Sequence, residues 1–377
     1  MNNKDFSTRP YRRETAKDWD SFVETCDEAW LYHLSEFVEE AGGSQLEIDR
    51  SFSVWKNNEI VAVCVMCLLR REKVKLLTGP GPALKADDKD LRKFCFTMIE
   101  TIARKEGCAA LRIRRSSLSP AFRGAQYVNS DLMEHGYTLG FWGEFQNFEV
   151  GCWIIADLRR DAGEILRSFT KGNRASVRRC EREGVVATWF DSTNISDSAW
   201  REYETIHAET MARGGGRAST PERNLQLRSQ IARGHALMIN TYLGEECLSS
   251  AVLLIYKGAA YYEAGASSAR GIELGAMPYT LFIALCGLSA RGFDYLNVGP
   301  YVPSHLGGKW GAICEFKRRF ATERWDLLVC EKVLNKNRYW WLLMTPLSLK
   351  RELLDAMNSL RSWPLLGAAV RLLRVER

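Results

Sequence analysis

Apolar residues in this chain fall into two kinds of run: short alternating or continuous stretches that read as strands, and longer stretches of helical period between them. In the first half, Phe52–Trp55 and Ile60–Leu69 are two such strands around Lys56-Asn57-Asn58-Glu59, a hairpin turn. A further run, Val74–Leu77, stops at Gly79-Pro80-Gly81-Pro82; a helical pattern spans Asp87 to Lys105, and after Gly107 a strand covers Ala109–Ile113. The second half repeats the order. Ala236–Tyr242 and Cys247–Tyr256 flank Gly244-Glu245-Glu246, and a strand over Tyr261–Ala266 leads into a Ser/Gly/Arg loop. A helix over Pro278–Ala290, the turn Arg291-Gly292 and a strand over Tyr295–Val298 complete it. The two helix-to-strand passages, Ile99–Gly107 and Ile283–Gly292, match closely in pattern. This is a duplicated α/β domain, since the period far exceeds the ~20–50 residues of repeat arrays.

Length agrees with duplication. The chain has 377 residues, more than one core of about 250–300 residues accommodates. We expect a first domain at 1–150, a second at 151–332 and a helical tail at 333–377. Hydrophobic content of 46% and charged content of 26% are those of a globular protein. The net charge of +6 favours an anionic partner without identifying it.

The 11 cysteines are scattered. Cys64, Cys67, Cys286 and Cys330 lie in apolar runs, where a thiol acts as a small core hydrophobe. Cys64 and Cys67 have zinc-like spacing, but inside a strand they point to opposite faces, so no metal is expected. With no apolar leader and no run of about 18 apolar residues, the expected setting is the cytoplasm. In the tail, Tyr339-Trp340-Trp341 precedes two basic amphipathic segments, with Leu349, Leu353, Met357 and Leu360 at helical spacing. Such a tail either lies on an anionic membrane surface or packs on protein.

Three places carry candidate chemistry. In the helix 171–183, ended by Gly184, residues Lys171, Arg174, Arg178 and Arg182 share one face. That stripe suits phosphates, or is a solvated face. Between the strand ending at Ala266 and the next helix, a loop offers unpaired amides at a helix N-terminus to an anion, with Arg270, Gly275 and Tyr279 around it. Finally, Phe316-Lys317-Arg318-Arg319-Phe320 brings cations to the same neighbourhood. If that run is extended, Lys317 and Arg319 face one way and Arg318 the other. Asp294 and Tyr301 stand at strand ends beside this cleft. His207 is either a base or a partly buried histidine.

The loop Arg270-Gly271-Ile272-Glu273-Leu274-Gly275 resembles the pyrophosphate loop of GCN5-related N-acetyltransferases, with Glu273 in place of the central glycine. A carboxylate there opposes a pyrophosphate. The order of motifs resembles a more specific group: Arg174, Arg178, Arg179, Gly184 and Val185; Gly265-Ala266-Ser267; Pro278 and Tyr279; Phe293-Asp294-Tyr295 leading to Gly299; and Gly311 before Phe316–Phe320. It is similar to the Fem family of peptidoglycan-bridge aminoacyltransferases and the BioF2-like acetyltransferases, over roughly residues 15–332. The resemblance implies tandem GNAT-like domains, each a twisted mixed sheet flanked by helices. It also implies acyl or aminoacyl transfer to an amine, that of an envelope precursor at the inner face of the cell membrane. No tightly bound cofactor is implied; acyl-CoA or aminoacyl-tRNA is the donor co-substrate. Lys317 is then the catalytic cation and Asp294 an orienting carboxylate. Arg174, Arg178, Arg270, Gly275, Arg318, Tyr279 and Tyr301 bind substrate or phosphate. The alternative is a non-catalytic GNAT-like protein that binds an anionic polymer or RNA.

Overall fold

The computed structural model describes residues 5–42, 47–71, 74–124, 130–139, 152–216, 218–301, 309–326 and 329–339. The tail expected to meet a membrane lies outside them from residue 340 onward. Among the described residues no helix is long and apolar enough to cross a membrane.

Two mixed sheets form the scaffold. The first contains β1 (Ser7–Pro10), β2 (Glu47–Asp49), β3 (Phe52–Lys56), β4 (Glu59–Arg71), β5 (Val74–Leu84), β6 (Ala110–Arg114) and β7 (Thr138–Leu139). The second contains β8 (Cys152–Asp157), β9 (Val186–Phe190), β10 (Ala236–Leu243), β11 (Glu246–Tyr256), β12 (Ala259–Ser267), β13 (Tyr295–Tyr301) and β14 (Glu323–Asp326), in the order β14-β8-β13-β12-β11-β10-β9. In each half an antiparallel meander (β3-β4-β5 or β10-β11-β12) is followed by one parallel partner, β6 or β13, reached through a crossover helix. That repeated topology is the duplication seen in the residue pattern: tandem GNAT-like domains.

Helices cover the sheets. The first half has α1 (Ala16–Thr25), α2 (Ser35–Gly42), α3 (Lys89–Lys105) and α4 (Ser130–Glu134). The second has α5 (Ala162–Ser168), α6 (Lys171–Arg182), α7 (Asp197–Arg213), α8 (Pro221–Ala232), α9 (Ala269–Leu274), α10 (Ala276–Ala290) and α11 (Lys309–Arg318). Side-chain caps set several starts: Asp88 on α3, Thr170 on α6, Ser196 on α7 and Thr220 on α8 each accept a backbone N–H of the first turn. One apolar core joins the halves, with Trp19, Trp30 and Val63 packed in the same cluster as Trp200, Tyr203 and Met238.

Two segments differ from the residue pattern. The strand expected to stop at Leu77 continues through Gly79-Pro80 to Leu84, because a bulge opposite Met66 accommodates the extra residue. The last described strand, β15 (Val329–Val333), straddles the expected boundary at 332/333 and pairs with β6 and β7 of the first sheet. Its register brings Glu331 onto Arg112 at 2.6 Å, both buried. Cys64 is buried in the first core with Cys95, and among the described residues no cluster of three His, Cys, Asp or Glu is placed to hold a metal.

Candidate functional site

β12 and β13 run parallel, yet they exchange hydrogen bonds only where Ala259–Tyr261 faces Tyr295–Asn297. Each then loses register with its other neighbour. β12 carries an extra residue, Glu263, between the pairs Tyr262–Leu253 and Ala264–Val252; β13 carries an extra Val298 between Asn297–Ile155 and Gly299–Ile154. A bulge leaves a residue unpaired and sharpens the strand's twist. Two bulges at one level part the strands and open a wedge at their carboxyl ends, the end of parallel strands where open α/β sheets bind ligands. The first half has the matching parallel pair, with Leu76–Gly79 against Ala110–Ile113. There Ile113 fills the gap: its Cγ2 stands 2.7 Å from where a Cβ on Gly81 would lie.

In the second half the corresponding space holds Lys317. α11 packs on β13 and sends the ammonium over the Tyr262 ring, 5.0 Å from its centroid. Gly299 permits this approach, since a Cβ there would sit 2.9 Å from Lys317 Nζ, and its φ of 128° also requires glycine. Burial pushes the Lys317 ammonium below the ordinary lysine range, while Cys314 and Glu263 act in the opposite direction. The Tyr262 hydroxyl donates to Met277 Sδ at 3.6 Å and lies under Gly265.

On the far side of the bulge, Glu263 is ion-paired with Arg223 from the first turn of α8. α7 is anchored to the end of β12 by Thr210, which donates to the Ser267 carbonyl and accepts the Ser267 N–H, both at 3.0 Å. This anchoring places Tyr203 near Glu263 and Arg223; Tyr32 of the first half stands near them too. Burial pushes both phenols above their ordinary range, and the Glu263 charge adds to it.

The residues singled out from the sequence are not all gathered here. Lys317 lies in the wedge, but on a helix; the extended reading of Phe316–Phe320 is corrected because α11 runs through Arg318, which makes an i,i+3 ion pair with Glu315 at 2.8 Å. Tyr301 ends β13 and donates its hydroxyl to Glu315 at 2.7 Å. Asp294 precedes the other end of β13, about 16 Å from Gly299 by strand rise, and faces Arg123 at 3.6 Å. The phosphate loop is a turn of helix, α9, in which Arg270 pairs with Glu246 at 2.9 Å. Gly275 joins α9 to α10 in the left-handed region with φ 74°. A Cβ there would meet Ser176 Oγ at 2.5 Å, so Gly275 lets α6 close onto this junction. Tyr279 is buried and donates to the Val185 carbonyl at 3.1 Å. Arg174 caps carbonyls at the end of α5, including Arg167 at 3.2 Å, whereas Lys171, Arg178 and Arg182 are exposed along α6. His207 is buried, its ring 5.4 Å from that of Tyr203, and burial lowers its pKa.

Glu263, Arg223 and Tyr262 escaped the residue pattern. A signal existed for Glu263: it is the single carboxylate inside the apolar run Tyr261–Ala266. A charge within a buried strand requires a partner or an opening.

At the level of sequence, no family model matches the chain and no curated protein is similar to it. Solved structures do share its fold. FemX superposes with a TM-score of 0.68 at 14% identity, covering 89% of this chain and 99% of that one. L-PGS from Bacillus licheniformis gives 0.52 at 16% identity, over 80% and 93% of the two chains. The C-terminal (DUF2156) domain of a candidate lysylphosphatidylglycerol synthetase from Agrobacterium fabrum gives 0.55 at 14% identity, over 87% and 95%. The Fem-like fold implied by the order of motifs is the fold that the chain adopts.

Proposed function

We propose that the chain is an N-acyltransferase whose reaction takes place in the wedge between β12 and β13. The observation that carries this reading is the Lys317 ammonium, desolvated beside Gly299 at the point where the two strands part. An acyl donor laid along the wedge presents its carbonyl to the free edges of both strands, and Lys317 stands where negative charge develops on the carbonyl oxygen. The acceptor's ammonium gives a proton to Glu263. The freed nitrogen lone pair forms the C–N bond, and the C–S bond of a thioester (or C–O bond of an aminoacyl ester) breaks with its electron pair on the leaving sulfur or oxygen. The nitrogen's second proton passes to that leaving atom, and Glu263 gives the first back to solvent. No tightly bound cofactor enters this scheme.

Acyl-CoA and aminoacyl-tRNA are both donors of the required chemistry. The exposed Lys171, Arg178 and Arg182 supply phosphate contacts to either, and Glu273, exposed at the α6–α9 contact, weighs against a standard pyrophosphate grip. We take the acceptor to be an amine of an envelope precursor, the class that the Fem-like motif order implies, and the cytoplasmic membrane face as the place of work. The same exposed cations favour one rival, a non-catalytic protein that binds an anionic polymer or RNA. Salt-sensitive polyanion binding without acyl turnover is its signature.

The test is turnover with acyl-CoA and charged-tRNA donors for wild type and Lys317→Met. Loss of one oxyanion contact lowers kcat by about 10²–10³-fold, with donor KM within a few-fold because the contact forms mainly in the transition state. Full turnover by Lys317→Met with every competent donor would refute the assignment.

A further inference from the structure

The Arg223–Glu263 ion pair is built in an unusual place for a structural pair. Glu263 is the residue that the β12 bulge pushes out of the ladder, where the wedge opens. Arg223 reaches it from α8, forty residues earlier in the chain. Both remain reachable, with side-chain exposures of 39% for Arg223 and 20% for Glu263. The wall behind them is polar and unfinished: Tyr203 is fully buried and its hydroxyl has no hydrogen-bond partner. The neighbouring Asn224 gives its amide nitrogen to Glu204 at 2.9 Å and leaves its buried oxygen without a partner. A buried polar atom without a partner is costly unless a water or a ligand satisfies it.

We propose that this pair is a zwitterion receptor: the acceptor carries a carboxylate a few bonds from its reactive amine, as an amino acid or peptide terminus does, and binds by exchanging partners with Arg223 and Glu263. The ammonium takes Glu263 and the carboxylate takes Arg223, with the Tyr203 hydroxyl at hand for a carboxylate oxygen. The inference rests on the acyltransfer reading for which group reacts, though not for what binds. An amine lacking the carboxylate would occupy Glu263 and strand the Arg223 guanidinium beside Tyr32 and Tyr203. A zwitterion leaves both charges paired, and bidentate Arg–carboxylate geometry adds specificity. A site built to bond a charged group discriminates strongly against the analogue that lacks it.

The experiment measures binding without any donor, by calorimetry and saturation-transfer NMR, for amino acids and dipeptides against their C-terminal amides. Wild type should bind the acid forms at least tenfold more tightly. Arg223→Gln should abolish that preference, Arg223→Lys should retain part of it, and Glu263→Gln should weaken acid and amide forms alike. Circular dichroism confirms that each variant is folded, and Arg223→Lys keeps the test valid if Arg223→Gln is not. Equal binding of acid and amide forms by wild type, or no binding of any acid form, would overturn the proposal. Carboxylate-dependent binding with no turnover on any donor would instead refute the transferase reading and leave the receptor standing. Turnover on amines regardless of carboxylate would do the reverse.

Discussion

Lys317 Nζ lies 2.9 Å from the point where a Cβ on Gly299 would stand. The ammonium is therefore held in a space that only the missing side chain of the neighbouring strand leaves open. Gly299→Ala should displace the ammonium and strain a backbone at φ 128°. We expect a loss of about 1–3 kcal/mol in stability and at least a tenfold fall in kcat, read by denaturant titration and steady-state kinetics. A fully active Gly299→Ala protein would show that the ammonium's position is immaterial.

The imidazole of His33 is almost completely buried, accepts the Trp30 N–H on Nδ1 at 3.1 Å, and is held down to a pKa of about 4 by burial, with Lys257 and Arg115 also lowering it. Because the folded value lies below the unfolded one of about 6.5, the unfolded chain takes up the proton first. The neutral ring's contribution is complete above pH 6.5 or so and is lost as pH falls toward 4, amounting to about 3 kcal/mol. Chemical denaturation from pH 7 to 4 should show that decline, and His33→Gln should flatten it. An unchanged profile in the variant would assign the decline to other groups.

Glu331 on β15 ties the returning strand to the first sheet through Arg112, and Tyr339 donates its hydroxyl to the same carboxylate. Glu331→Ala should cost about 3–5 kcal/mol, since removing one partner of a buried ion pair is strongly destabilising. The double change Arg112→Met/Glu331→Leu should recover much of it. Thermal unfolding of the three proteins checks both expectations.

Gly275→Ala should push α6 off the α9–α10 junction, because the new methyl would meet Ser176 Oγ at 2.5 Å and Cβ at 2.8 Å. A stability loss of about 1–3 kcal/mol is expected, measurable as a lower denaturant midpoint. Ser176→Gly in the same chain should relieve the clash and leave only the strain of φ 74°.

By itself the sequence determined the local and repeated features of this protein. Alternating and helical runs specify strands and helices through side-chain periods of 2 and 3.6 residues, so the duplicated α/β architecture was legible in them. So was the helix at 171–182, which Thr170 begins and Gly184 ends with φ 78°. The motif order singled out Lys317, and the structure brings it beside Gly299 where β12 and β13 part. The tertiary structure decided what depends on register and on distant partners. The helix over Lys317 replaced an extended run, because alternating aromatics and cations in five residues do not separate the two periods. Arg270 went to Glu246 and Arg174 to the end of α5 rather than to a common phosphate site, since a charge takes whatever partner the packing brings nearest. Asp294 and Lys317 were assigned to one cleft, yet strand rise sets Asp294 a whole strand away from Gly299. The wedge itself comes from two bulges, at Glu263 and Val298, on strands about thirty residues apart in the chain. A bulge is a mismatch between two strands, and no single strand's residues specify it.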